Sequence, residues 1–112
     1  MSKGWRDGYD LEETDDEVIV RMEVAGLDPK ELDVTVRDGM LQVRYERKEE
    51  WRENNGEMTG RRYGAFSRTV SLPDGLDTSH AKAICKHGLL TVRIPRTDES
   101  KRKTRRITIS ID

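Results

Sequence analysis

The chain has 112 residues, 38% charged and only 33% hydrophobic, with a formal net charge of −1 at pH 7. That length makes one domain with little to spare, and a core this lean is close to the composition at which chains stay unfolded. Because acidic and basic residues are interspersed and need not repel, the balance favours a thin, heavily charged β-sandwich over disorder, with some core supplied by other subunits. No stretch approaches the roughly 18 apolar residues of a membrane span, and Met1–Asp10 has no apolar signal-peptide run. A single cysteine, Cys85, cannot form an internal disulfide. The expectation is a cytoplasmic protein with no membrane partner.

Residues 1–8 read as a short N-terminal arm in which Trp5 is the one large apolar group. Tyr9–Glu13 has the look of a short edge strand before a Thr14-Asp15-Asp16 turn. From Glu17 the pattern alternates: Val18, Val20, Met22 and Val24 share one face, while Glu17, Arg21 and Glu23 share the other, interrupted by Ile19. Gly26 ends this strand, and Asp28 followed by Pro29 is an N-cap with proline in the first helical position, enough for one turn. Leu32, Val34 and Val36 then alternate with Asp33, Thr35 and Arg37. Asp38-Gly39 signals a hairpin, and Leu41, Val43 and Tyr45 face inward on its return strand.

Residues 44–62 (RYERKEEWRENNGEMTGRR) form a long charged excursion with Trp51 and Met58 as its apolar anchors, and an excursion of this length in a small domain suggests a role. In the next strand Phe66, Val70 and Leu72 share a face, and the period puts Arg68 on that same face, where the guanidinium is expected to bond an acidic side chain or backbone carbonyls at an interface. Asp74–Ser79 is a turn. In His80–Lys86 the alternation of Ala81, Ala83 and Cys85 suits a strand, while the alanines and the Asp77/Thr78 cap suit a short helix. Gly88–Ile94 is rich in β-branched and aliphatic residues and is stopped by Pro95. Beyond it, Arg96–Arg106 reads as an extended polar tether, and Ile107-Thr108-Ile109-Ser110-Ile111 alternates apolar and polar as a strand does. A lone strand cannot satisfy its own backbone, so it is expected to add to a sheet edge on this molecule or another.

The closing pattern Gly88-x-Leu90-x-Val92-x-x-Pro95 followed by Ile107-x-Ile109 resembles the small heat shock proteins, the Hsp20 or α-crystallin domain family. The block Ala25–Val34 and the spacing Phe66-x-Arg68-x-x-x-Leu72-Pro73 resemble two further segments of that family. Ile109 and Ile111 form a second pair of the tail type, and His87 stands where the family more often has Asn or Asp. The resemblance implies an all-β, immunoglobulin-like sandwich over residues 9–95, with residues 44–62 as a dimerisation loop and residues 96–112 as a C-terminal extension. Together with the hairpin turn into Gly88, it decides His80–Lys86 for a strand. It implies a dimer in which Trp51, Met58 and Arg68 lie at the interface, and a groove lined by Leu32, Val34, Ala81 and Ala83 that accepts a neighbour's Ile107, Ile109 or Ile111. Family members usually carry a longer, more hydrophobic arm than the eight residues that precede the first strand here.

No catalytic constellation is present: there is no phosphate-cradling glycine loop, no nucleophile elbow and no zinc-protease pair of histidines. Cys85 and His87 are two ligands at most, too few for a metal, so no metal and no cofactor is expected and Cys85 reads as structural. Six Lys/Arg against two Asp/Glu in residues 96–106 could attract phosphates, but little aromatic interleaving accompanies them, so no nucleic acid partner is expected. The function implied is therefore an ATP-independent holdase chaperone whose partners are copies of itself and unfolded client proteins. The runner-up is a monomeric co-chaperone module of the CS type, which shares the sandwich but normally lacks both the I-x-I tail and the long crossing loop.

Overall fold

The computed structural model describes residues 8–52, 58–103 and 105–111, with 47–52 and 58–63 as backbone alone. Among these residues seven strands follow in chain order: β1 (Tyr9–Glu13), β2 (Glu17–Glu23), β3 (Leu32–Arg37), β4 (Met40–Arg52), β5 (Met58–Ser71), β6 (Lys82–Lys86) and β7 (Leu89–Pro95). Among the described residues one α-helix, α1, occupies Asp98–Lys103. The chain divides into two compact units, one built from Met1–Ala25 with Pro73–Asp112 and the other from Gly26–Leu72.

The first unit is a four-stranded antiparallel sheet in the order β1-β2-β7-β6. Its register sets Val18 opposite Ile94, Val20 opposite Val92 and Met22 opposite Leu90. All six side chains are buried, so the alternation read in β2 continues across β7 as one apolar face. On the opposite face Arg21 is held by Asp10 at 3.3 Å and Glu12 at 3.0 Å, and Arg93 by Glu17 at 2.9 Å. Ile19 interrupts this polar face yet is 5% exposed. Its register neighbours are Glu12 and Arg93, and long charged side chains of that kind cover apolar surface with their stems.

The second unit is a three-stranded antiparallel sheet in the order β3-β4-β5, with Leu41, Val43, Tyr45 and Val70 buried. Before it, Pro29–Glu31 makes a single 3-10 turn, and the backbone N–H of Lys30 donates to the Asp28 side chain at 3.0 Å, the cap read from the sequence. Both two-residue hairpins, Asp38-Gly39 and His87-Gly88, have positive φ at each central residue (51° and 75°, 51° and 76°), the geometry that matches strand twist. His87 takes the left-handed conformation that histidine, like Asn and Asp, adopts more readily than most residues.

Two segments differ from the pattern expected. Much of residues 44–62 is strand: β4 and β5 stay paired from Arg44 opposite Ser67 out to Arg52 opposite Met58, with a slip between Trp51 and Arg52. The backbone register sets Glu49 opposite Arg62 and Glu50 opposite Arg61. Secondly, the polar stretch after Pro95 is not simply extended, because Asp98–Lys103 is helical. The Thr97 hydroxyl accepts from the Ser100 N–H at 3.0 Å, the acidic residues occupy the first turn and the basic ones the last, and Glu99 meets Lys103 at 3.0 Å.

Candidate functional site

The C-terminal extension begins as part of the first unit. The Asp77 N–H donates to the Pro95 carbonyl at 2.8 Å, Leu76 bridges Arg96, and the Thr97 N–H donates to the Gly75 carbonyl at 2.9 Å. On its other side the Arg96 N–H donates to the Asp16 carbonyl at 2.8 Å, and Arg96 Nη1 donates to the Thr14 carbonyl at 3.1 Å. Further along, Arg106 pairs with Asp15. Past that point Ile107, Ile109 and Ile111 are 88%, 85% and 94% exposed, whereas a lone surface isoleucine would need no comment. The segment is in no strand here, but three of them at a period of two would share one apolar face if it extended, and no described residue covers them.

Sheet edges are where such a strand can be received. β1 and β6 border the first sheet, and β3 and β5 the second. Leu32 and Val34 lie half-buried on the inward-pointing parity of β3. Ala81 closes the 3-10 turn Thr78–His80 that leads into β6, and Ala83 lies exposed within β6. Opposite in parity to Ala83 is a feature that sequence reasoning passed over: Ile84, 64% exposed, shares a column with Lys82 and Lys86. With Leu89, Thr91 and Arg93 it lines an open hollow of about 580 Å³. The signal was in KAICK itself, where the bulky residue shares parity with the lysines and the small ones share the other.

Arg68 falls on the face of Phe66 and Val70, as its spacing implies, and is half-buried. Its guanidinium carbon sits 5.5 Å from the Phe66 ring centroid, a cation–π arrangement. The side chains of Trp51 and Met58 and all of Trp5 lie outside the described residues.

Ser79, His80 and Asp77 are the residue types of a hydrolytic triad, but their geometry is that of a turn lock. Ser79 Oγ donates to Asp77 Oδ1 at 2.6 Å and also lies 3.2 Å from His80 Nδ1, the same nitrogen that faces Asp77 Oδ2 at 2.6 Å. A triad needs nucleophile and carboxylate on opposite ring nitrogens. Hydrogen bonds from Ser79 and then His80 hold the Asp77 carboxyl below the ordinary aspartate value. Cys85 is a half-buried free thiol. Among the described residues no group of three or more His, Cys, Asp or Glu could hold a metal, and no helix is long and apolar enough to cross a membrane.

A family model described as Hsp20/alpha crystallin family matches residues 10–110. The chain belongs to this family. It is 32% identical over 101 residues to the small heat shock protein C4 of Rickettsia felis, covering 88% of this chain and 62% of that one. An alpha-crystallin of Mycobacterium tuberculosis is 44% identical over 79 residues, covering 67% and 51%. Among solved structures, heat shock protein 16.0 of Schizosaccharomyces pombe matches with a TM-score of 0.67 at 29% identity, covering 93% of this chain and 96% of that one. The fold is thus the all-β α-crystallin domain, and the chain spans from 41% to 68% of the length of such curated relatives. Of the Hsp20 signature residues, Leu90 and Val92 are buried in β7, Gly88 completes its turn and Pro95 ends it.

Proposed function

We propose that the protein is an ATP-independent holdase chaperone that assembles through its C-terminal tail and releases binding surface for partly unfolded proteins. The observation that carries this reading is the run of Ile107, Ile109 and Ile111, which alternate, are almost wholly exposed and follow a polar segment tied to the domain. Burying two isoleucines contributes roughly 3 to 6 kcal/mol, while ordering each tail residue costs about 1 to 2 kcal/mol. A single dock is therefore marginal. Dimers that present two tails gain by avidity, and the assembly can shed subunits on heating or when clients compete.

In this reading Leu32 and Val34 on edge strand β3, and Ala81 and Ala83 at edge strand β6, are the acceptor positions. The paired arm of residues 44–62 exchanges between subunits to make the dimer, with Trp51, Met58 and Arg68 at its contact. A free Cys85 fits a reducing compartment such as the cytoplasm. Membership of the Hsp20 family, whose relatives are named as heat shock proteins, supports the chaperone role.

Light scattering from a heat-aggregating client, with and without the chain, tests the function. Suppression at near-stoichiometric chain without added ATP is expected, and aggregation unchanged by an excess of chain overturns it.

A further inference from the structure

We propose that Gly75, Arg96, Thr97 and Ser100 form a seat that sets how far and in which direction the isoleucine tail reaches, and so which neighbouring subunits it can join. This rests on the reading that the tail binds another subunit. The segment from Pro95 to Thr97 runs as a short ladder between two loops, bonded to Gly75, Leu76 and Asp77 on one side and to Thr14 and Asp16 on the other. Arg96 is fixed so firmly that its Nε is buried without a hydrogen-bond partner, a cost a surface tether would avoid by turning to water.

Gly75 completes the seat. Its φ of +80° suits glycine, and a methyl group added there would come within 2.5 Å of Ser100 Oγ and 2.8 Å of Ser100 Cβ. Only a residue without a side chain lets α1 lie against this loop. Thr97 caps α1 through the Ser100 N–H, and Arg106 pairs with Asp15 on the same turn that holds Arg96.

Seating changes the reach. A tail free from Pro95 would extend about 55 Å to Ile111, whereas one that starts at Lys103 extends about 27 Å. Halving the radius cuts the searchable volume by roughly eightfold and raises the effective concentration of the tail at acceptors inside it. A seated tail therefore selects near neighbours and a narrow range of subunit numbers, while an unseated one admits many arrangements.

The test uses Ser100→Leu, which crowds Gly75 from the helix side without altering the backbone at residue 75, with Gly75→Ala as a second variant. Amide hydrogen exchange reads the seat, and native mass spectrometry reads the assembly. In the natural sequence the Thr97 and Lys101 amides should exchange at least tenfold more slowly than those of Ile109 and Ile111. Either substitution should abolish that difference and broaden the distribution of subunit numbers, with the melting midpoint of the sheets unchanged. Exchange at Thr97 and Lys101 as fast as at Ile109 in the natural sequence overturns the seat. Freed amides with an unchanged distribution overturn its control of assembly. Ile107→Gly with Ile109→Gly separates the two ideas: natural-sized assemblies from that variant remove the tail reading and the control of reach with it, whatever the exchange of Thr97 shows.

Discussion

Ile94 and Ile109 are the same residue type on either side of one short segment, and their surroundings are opposite. Ile94 is 0% exposed at the end of β7, in register with Val18. Ile109 is 85% exposed fifteen positions later. Between them the chain is tied by backbone bonds to the loops at Thr14–Asp16 and Gly75–Asp77, then passes through α1. The contrast teaches that the extension has two halves in series: one anchored by bonds within its own unit, and an apolar one that no described residue covers, whose cost of ordering the proposed docking on a neighbour would offset.

Substitution at these two isoleucines should separate the halves most sharply. Ile94→Ala leaves a cavity beside Val18 and should lower unfolding free energy by about 2 to 5 kcal/mol, read from the urea midpoint. Ile109→Ala should change that free energy by no more than about 0.5 kcal/mol while weakening assembly. An equal loss at both positions would mean that the tail packs on its own domain. A smaller effect is expected from Thr97→Val, which removes the cap on the Ser100 N–H: α1 should lose about 1 kcal/mol, seen as faster exchange in residues 98–103 with little change in the sheets.

Smallest of all should be Asp77→Asn. Since Ser79 and His80 lower the Asp77 pKa in the folded chain, its contribution is present above the ordinary aspartate value of about 3.9 and is lost as pH falls through the lower folded value. The variant should have a flatter acid limb below about pH 4, by a small margin because the carboxyl is solvent-accessible. A limb identical to that of the natural sequence would show that the turn lock does not favour the ionised carboxyl.

Most of the sheet architecture was legible in the residues. Period-two alternation marked the buried faces of β2 and β4, β-branched and aliphatic richness before Pro95 marked β7, Asp38-Gly39 marked a hairpin, and Asp28-Pro29 marked a capped turn, because each depends on neighbours within a few positions. His87-Gly88 was harder, since histidine in the left-handed region is less frequent than Asn or Asp. The paired arm was hidden because the turn signals at Asn54-Asn55-Gly56 and Thr59-Gly60, together with the density of charged residues, read as a loop, whereas the backbone stays paired out to Arg52 opposite Met58. Of the candidate site, the isoleucine alternation was plain, whereas the seat was not. Gly75 and Ser100 are distant in sequence, and only the fold brings a glycine under a helix whose composition of Asp, Glu, Lys and Arg suits a solvated tether equally well.

Size-exclusion chromatography coupled to light scattering, on the 112-residue chain with and without residues 107–112, addresses tail-directed assembly most directly. The full chain should elute as a species of several dimers and the shortened one as a dimer, with equal melting midpoints. Identical masses for the two would contradict a role for Ile107, Ile109 and Ile111 in joining subunits.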